Sequence, residues 1–395
     1  MVLKIQNPTF RHGDILPQIQ TQRSDMAIFY RKSNAQPSLF FNQRTDGFLR
    51  RLRSKKDLEE YLGIDEVFDF ESFRPQIEAA VAMQVKPKKS KRGRPSFDPV
   101  FMAKALWLMH RLGQPMTKFS DNLLKDAVLQ SVLDITFPDE VPSYQTLWQY
   151  NEYFAKSDLF QTLFDQQVEL LHELGVVPRK SARIVDSTFY DVPKQRNTRT
   201  ENALIKAGKG QTLWNDNPHK QCHKDIDARW AKKHDVTHYG YKGHVNADSA
   251  TKLIVGCNVT SASVHDSQVI VPLLSGYDIG SGRILFADAG YVGAKQSAQI
   301  FAAGMIPMIC QKAFVGRPLT AEQEEDNHRF SKIRSRIEHI FGFLEGSMGH
   351  MKLRCIGLRR ATHEIFFDML VYNCARLRQL IRASQAKLPQ PAAAN

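Results

Sequence analysis

Ala182-Arg183-Ile184-Val185-Asp186-Ser187-Thr188-Phe189 reads as a β-strand, because β-branched and aromatic side chains fill it without helical spacing. It marks a change of period. Residues 98–176 before it carry apolar side chains at helical intervals, whereas the segments after it alternate between strand-like and helical. An aspartate inside such an apolar run is costly unless it is paired, hydrogen-bonded or metal-bound. Asp186 is therefore either a hydrogen-bonded structural residue or a ligand. Asp191 lies an odd number of positions further on, so alternation along a strand turns it to the opposite face.

Working towards the C-terminus, residues 238–245 and 253–260 are two further strands, with Asn246-Ala247-Asp248-Ser249 as the turn between them. Asp266 or Ser267 can cap a short helix. Residues 283–287 form a fourth strand, followed by a helix over about 293–303, a strand over 305–310 and a long helix over about 321–344. Three mostly antiparallel strands followed by α/β units predict an α/β fold, a mixed sheet with helices on both faces in a ribonuclease H-like order. This catalytic domain is expected over 181–383, with a basic insertion at about 194–236 and a tail at 384–395.

Towards the N-terminus the chain reads as all-helical. Phe101, Ala105, Leu106, Leu108 and Met109 share a helix that Gly113 ends. Residues 120–133 form a second. Ser143 caps a third through Leu147, Tyr150 and Phe154, and Ser157 or Asp158 opens a fourth that ends at Gly175. The helices around 120–154 are either a DNA-reading helix-turn-helix or a plain bundle. A helical segment at 56–85 precedes the basic linker 86–97, Lys86-Pro87-Lys88-Lys89-Ser90-Lys91-Arg92-Gly93-Arg94-Pro95 and the two residues beyond it. Residues 1–55 are polar and irregular, as a flexible extension would be.

Composition narrows the class. Of 395 residues, 54 are Lys or Arg and 41 are Asp or Glu, a net charge of +13 that favours a polyanionic partner. The five cysteines are scattered without paired spacing, which fits a reducing cytosol. Apolar runs such as Ile365-Phe366-Phe367 stop at Asp368, far short of the roughly 20 residues a spanning helix needs. No secretory signal is read at the N-terminus. A cytoplasmic, nucleoid-associated protein with no membrane partner is expected.

Two further acids are placed for metal chemistry. Asp288 ends the apolar run Ile284-Leu285-Phe286-Ala287, and sites in α/β sheets collect at the carboxyl ends of strands. Glu338 flanks the apolar stripe of the last predicted helix, four residues after Arg334, which can hold its carboxylate or touch a phosphate. Phosphodiester cleavage by two Mg²⁺ ions about 3.5–4 Å apart needs three or four such carboxylates from distant parts of the chain. His219, Cys222, His223, His234 and His238 lack the spacing of a zinc site, so zinc is not expected. The insertion carries Trp214 and Trp230 among many basic residues. It is either a mobile loop that grips DNA and stacks on a base, or a solvated excursion.

Five segments in order resemble the DDE transposases of bacterial insertion sequences, of the IS-five family. They are Ile184-Val185-Asp186-Ser187-Thr188, Tyr239-Gly240-Tyr241-Lys242-Gly243-His244, Ser263-Val264-His265-Asp266-Ser267, Ala287-Asp288-Ala289-Gly290-Tyr291 and Arg334-Ser335-Arg336-Ile337-Glu338-His339. The resemblance spans about residues 90–380. It implies that Asp186, Asp288 and Glu338 hold Mg²⁺, or Mn²⁺, with Asp186 bridging two ions. Water then attacks the DNA at the element end, and the freed 3′-OH attacks target DNA. It also implies double-stranded DNA as partner, both the terminal inverted repeats and the target, and a homodimer that joins two ends. The chain departs from the broader signature at Ser331 and Glu345, where a Tyr and a Lys are expected; Lys352 or Arg354 can take over the flanking phosphates. Expected DNA contacts are Arg92 and Arg94, which resemble a minor-groove hook, with Lys242, His244, Arg334, Arg336, Lys352 and Arg354. His265, Asp266 and Tyr291 are expected to support the site. A ribonuclease H-like nuclease such as a junction resolvase, or a non-catalytic DNA-binding regulator derived from a transposase, would share many of these features.

Overall fold

Helix-forming stretches with good caps account for the N-terminal half of the structure, a computed structural model that describes residues 67–85, 95–233, 235–274, 283–349 and 351–385. The extension 1–55, Arg92 and Arg94 lie outside the described residues. The helices are α1 (Arg74–Ala82), α2 (Pro99–Arg111), α3 (Met116–Lys125), α4 (Ala127–Val132), α5 (Tyr144–Lys156) and α6 (Leu159–Glu173). Asp98 caps α2, with Pro99 in its first turn, and Ser143 caps α5 through the Thr146 amide. Gly113 follows α2 at φ +61°, and a Cβ there would lie 2.1 Å from the Met348 carbonyl oxygen. A glycine is needed for both the turn and the close approach.

The helix expected over 120–133 is instead two. Asp126 is extended, at φ −106° and ψ 102°, and its carboxylate caps the Val128 amide. An aspartate side chain competes with the backbone for that amide, so the helix ends and restarts.

The C-terminal half is built on a six-stranded mixed sheet. Its strands are β1 (Arg183–Asp191), β2 (Arg229–Lys233), β3 (Val236–Asp248), β4 (Ile254–Ser261), β5 (Arg283–Ala287) and β6 (Met305–Ile309). The long strand β3 pairs antiparallel with β1, β4 and β2, and β1, β5 and β6 run parallel to one another. Every predicted strand is present, and β2 is additional.

The segment between β1 and β3 is folded but remains largely exposed. It folds around Trp214, which is buried and donates its Nε1 proton to Glu201 at 3.0 Å. Two short helices, α7 (Arg199–Lys206) and α8 (Pro218–Cys222), flank that tryptophan. Asp225 accepts from the Tyr241 hydroxyl at 2.6 Å and the Gly357 amide at 3.1 Å. Asp227 accepts from the Leu358 amide at 2.9 Å, so the insertion is tied to the start of the last helix.

Between the strands lie α9 (Ile270–Leu274) and α10 (Ala294–Ala302), followed by α11 (Ala321–Arg334), α12 (Arg336–Gly346) and α13 (Leu358–Gln385). The single helix expected over 321–344 breaks at Ser335. The Ser335 hydroxyl bonds to the Lys332 carbonyl. None of α11 is fully buried, whereas α12 buries Ile337, Ile340 and Leu344. Each half follows its own surface.

Helix α13 joins the two halves. Its residues Ile365, Phe367, Leu370 and Val371 are completely buried in a core that also holds Leu106, Phe160 and Tyr241. Buried charge crosses this junction. His110 of α2 bonds Asp368 at 3.0 Å and Glu364 at 3.2 Å, both on α13. Burial alone would discharge His110, but its bonds to the two carboxylates outweigh it and raise its pKa from 6.5 to about 9. Burial likewise favours protonated Glu364, yet the contact with His110 holds it down at about 2.

The raised His110 pKa contributes stability that is complete below its ordinary pKa and is lost as pH rises towards about 9. Replacing one partner of a buried pair strands the other, at a cost of roughly 3–5 kcal/mol. His110→Gln is therefore expected to lower the urea midpoint at pH 6 clearly. It should also flatten the alkaline fall in stability seen in the wild type, as read by denaturation across pH.

Candidate active site

The register of β1 against β5 pairs Val185 with Ala287, so Asp186 and Asp288 follow side by side at the carboxyl end of the parallel pair. Asp288 leaves its strand into a one-turn helix, Ala289–Tyr291, and caps it by accepting from the Gly290 amide at 2.9 Å. Asp186 is buried. One of its oxygens accepts from the Ser187 amide at 2.8 Å, and the other from Arg334 Nη1 at 2.9 Å. Burial is the main reason its pKa rises to about 6; the Ser187 N–H opposes this, the charge of Asp288 adds to it, and Lys233 and Arg334 moderate it.

Arg334 ends α11 and stands between two acids. The same Nη1 lies 3.7 Å from Glu338 Oε1, and the Glu338 side chain is 61% exposed. Asp186 and Asp288 are thus adjacent, and Glu338 reaches them through a guanidinium. Among the described residues no three His, Cys, Asp or Glu side chains close on one point as a metal cage. The donor set still fits Mg²⁺, which takes oxygen ligands, usually only one or two carboxylates, and keeps its remaining waters. A buried aspartate with a raised pKa beside a second carboxylate is a place where added positive charge is stabilising. Arg334 now supplies it from one nitrogen, while its Nε is buried without a partner.

A layer of polar side chains underlies Asp186. Lys242 donates to Asp266 and to the Val264 carbonyl, each at 2.9 Å. His244 Nε2 bonds the Thr260 hydroxyl at 2.9 Å, and its Nδ1 lies 3.7 Å from Asp266. Burial pushes His244 down to about 4, which keeps it neutral at pH 7. Lys242 and His244, expected to contact phosphate, are both buried in the free protein, where these neighbours hold them. Burial would raise Asp266, but its bond with Lys242 holds it below the usual carboxylate range.

Tyr291 is fully buried, its hydroxyl has no partner, and burial together with the charges of Asp266, Asp186 and Asp288 disfavours its ionisation. His265 is exposed, and its Nδ1 caps the Ser267 amide. Arg336 is exposed and donates to the Ser249 carbonyl. Lys352 and Arg354 are exposed too, on a segment that bridges to Asp191 at the far end of β1. His238 bonds Asp191 at 3.1 Å and stacks on Phe189, while the His219 and His223 rings lie 4.9 Å apart in the insertion.

Two residues that act on the site are not singled out in the sequence. Ser187 lends its amide to Asp186 and its side chain to Asp266. Lys233, at the end of β2, sends its charge towards Asp186. That influence comes from the fold, not from its neighbours in the sequence.

Comparison with known proteins bears on this arrangement. A family model described as the transposase DDE domain matches residues 178–374, and one described as a transposase domain (DUF772) matches residues 48–152. The transposase for insertion sequence element IS1106 of Neisseria meningitidis serogroup B is 28% identical over 234 residues, covering 55% of this chain and 78% of that protein. No solved structure matches.

The raised pKa of Asp186 carries a sign. Its ionised form costs stability, with no cost below its ordinary pKa of 3.8 and the full cost above about 6. Without divalent metal, Asp186→Asn is expected to stabilise the protein at pH 7.5 by up to roughly 3 kcal/mol. The gain should vanish near pH 4. Urea denaturation in chelator at both pH values is the measurement.

Proposed function

We propose, for a chain that belongs to the DDE transposases of insertion sequences, that it binds the terminal inverted repeats of its element, cleaves DNA there and joins the 3′-OH to target DNA. The observation that carries this reading is the register that sets Asp186 and Asp288 side by side, with Glu338 tied to them through Arg334. Asp186, Asp288 and Glu338 are the proposed ligands of Mg²⁺, with Mn²⁺ able to replace it. Bound there, the ions would activate water and stabilise the leaving oxygen.

The chain's own residues set the conditions for that chemistry. Burial keeps Asp186 from ionising freely and so favours a cation beside it. Arg334 neutralises Asp186 and Glu338 in the free protein. Once a metal takes that role, its guanidinium is freed to grip a phosphate in bidentate fashion. Arg336, Lys352 and Arg354 are exposed cations available to the flanking phosphates. Lys242, Asp266, Tyr291 and His265 belong to the scaffold behind and beside the site.

The strand order, with β3 antiparallel to β1 and with β5 and β6 parallel to it, supports a ribonuclease H-like core. The five motifs support membership of the IS-five family. In the helical region α5 leaves Tyr144, Gln145, Trp148 and Gln149 exposed in its first two turns, which supports a recognition helix in the major groove. Arg92 and Arg94 would add a minor-groove contact. A homodimer would bring two ends together, at work on the nucleoid.

Wild type is expected to cut and join labelled element-end DNA with Mg²⁺. Asp186→Asn, Asp288→Asn and Glu338→Gln should each lose activity on the order of a thousandfold while still retarding the DNA. Normal cutting by Glu338→Gln would show an exposed ion pair rather than a ligand. A wild type that binds ends yet stays inert with either metal would indicate a DNA-binding regulator. Cutting without strand transfer would indicate a nuclease.

A further inference from the structure

The segment that links β6 to α11 stands out of the fold. Residues 311–318 are all exposed, and at their tip Phe314 is 63% and Val315 107% exposed. An aromatic and a β-branched side chain held this far into solvent gain nothing in the free protein. The tip is nevertheless ordered by its own hydrogen bonds. Phe314 donates to the Arg317 carbonyl at 3.1 Å, Arg317 donates back at 2.9 Å, and Gly316 supplies the positive φ (+77°) that closes the turn.

Its base is fixed at two points. The Cys310 amide donates to the carbonyl of Ala287, the residue before Asp288, at 3.1 Å. Gln311 and Asn327 exchange two hydrogen bonds, at 2.7 and 3.0 Å, which pin the loop to the helix that ends in Arg334. The tip is therefore a short hydrogen-bonded prong whose base is anchored beside Asp288 and on α11.

Its charge indicates the occupant. Lys312 and Arg317 flank the apolar pair, and no acid lies between Gln311 and Thr320. Apolar side chains carried beside cations are what minor-groove and architectural proteins insert between base steps, with the cations on the adjacent phosphates. A base stacked on an aromatic face is bound without regard to sequence.

We infer that the Phe314–Val315 prong is a wedge that enters the DNA stack beside the scissile phosphate and unstacks the bases there. The inference rests on the DNA reading of the site and adds a part to it. By opening the stack, the prong would let the backbone bend towards Asp186 and Asp288.

The test uses the full chain and element-end duplexes carrying 2-aminopurine on either side of the cleavage position. Wild-type binding should raise the fluorescence. The double variant Phe314→Ala/Val315→Ala should bind with an affinity within about threefold of wild type but lose most of the fluorescence rise, and should cut about tenfold or more slowly. Phe314→Trp should retain both properties, and a mismatch at the flanking step, which prepays the unstacking, should restore cutting by the double variant. A double variant that raises the fluorescence and cuts like wild type overturns the wedge. So does a wild type that cuts without any fluorescence rise, and so does a double variant that changes oligomeric state instead, which would make the prong a protein contact. A wild type that neither binds nor cuts the duplex overturns the DNA reading itself, and the wedge with it.

Discussion

Two carboxylates set side by side at the end of a buried parallel strand pair repel one another and are poorly solvated, so something positive must stand beside them. This constraint organises the catalytic half of the chain. Asp186 and Asp288 are brought together by the pairing of Val185 with Ala287, and Arg334 answers the charge of Asp186 from the end of α11. The break at Ser335 leaves Glu338 in the first turn of the following helix, on the solvent side of the same guanidinium. In the polar layer beneath, Lys242 is held by Asp266 and neutral His244 by Thr260, while the Nδ1 of His244 is left without a hydrogen-bond partner.

The second organising element is α13. Its apolar face fills the space between the sheet and the N-terminal helices, and its acids Glu364 and Asp368 hold His110 across that boundary. Such a buried network is stable only when fully paired, which favours one docking of the helical region on the sheet over slid alternatives. The insertion is fastened to the same helix through Asp225 and Asp227. A DNA duplex held by the helical region or by the insertion would thus meet acids whose position relative to it is set by packing.

Much of this was legible in the sequence. The strand at β1 announced itself through β-branched residues, and the cap at Ser143 through its local chemistry. The acids Asp186, Asp288 and Glu338 stood out because each interrupts or borders an apolar pattern. What failed to show were features set by competition between distant groups. Asp126 splits a helix that periodicity alone would continue, and Ser335 divides another between two packing surfaces. Trp214 reads from the sequence as part of an exposed basic segment, but it is buried and bonded to Glu201, a partner thirteen positions away.

The sequence by itself determined the period of each segment, the caps that bound it and the identity of the acids, because these depend on neighbours within a few positions along the chain. Only the tertiary structure decided which charged groups are spent inside and which face outwards. Lys242 and His244 look from the sequence like cations near a phosphate-binding motif, yet in the fold both are buried and held by Asp266 and Thr260. Lys233 and the Phe314–Val315 prong look unremarkable in the sequence, yet the fold lets the charge of Lys233 act on Asp186 and fastens residue 310 to residue 287, next to Asp288. The physical reason is the same in each case. Solvation and charge are set by what surrounds a side chain in space, and for these residues the surroundings come from other parts of the chain.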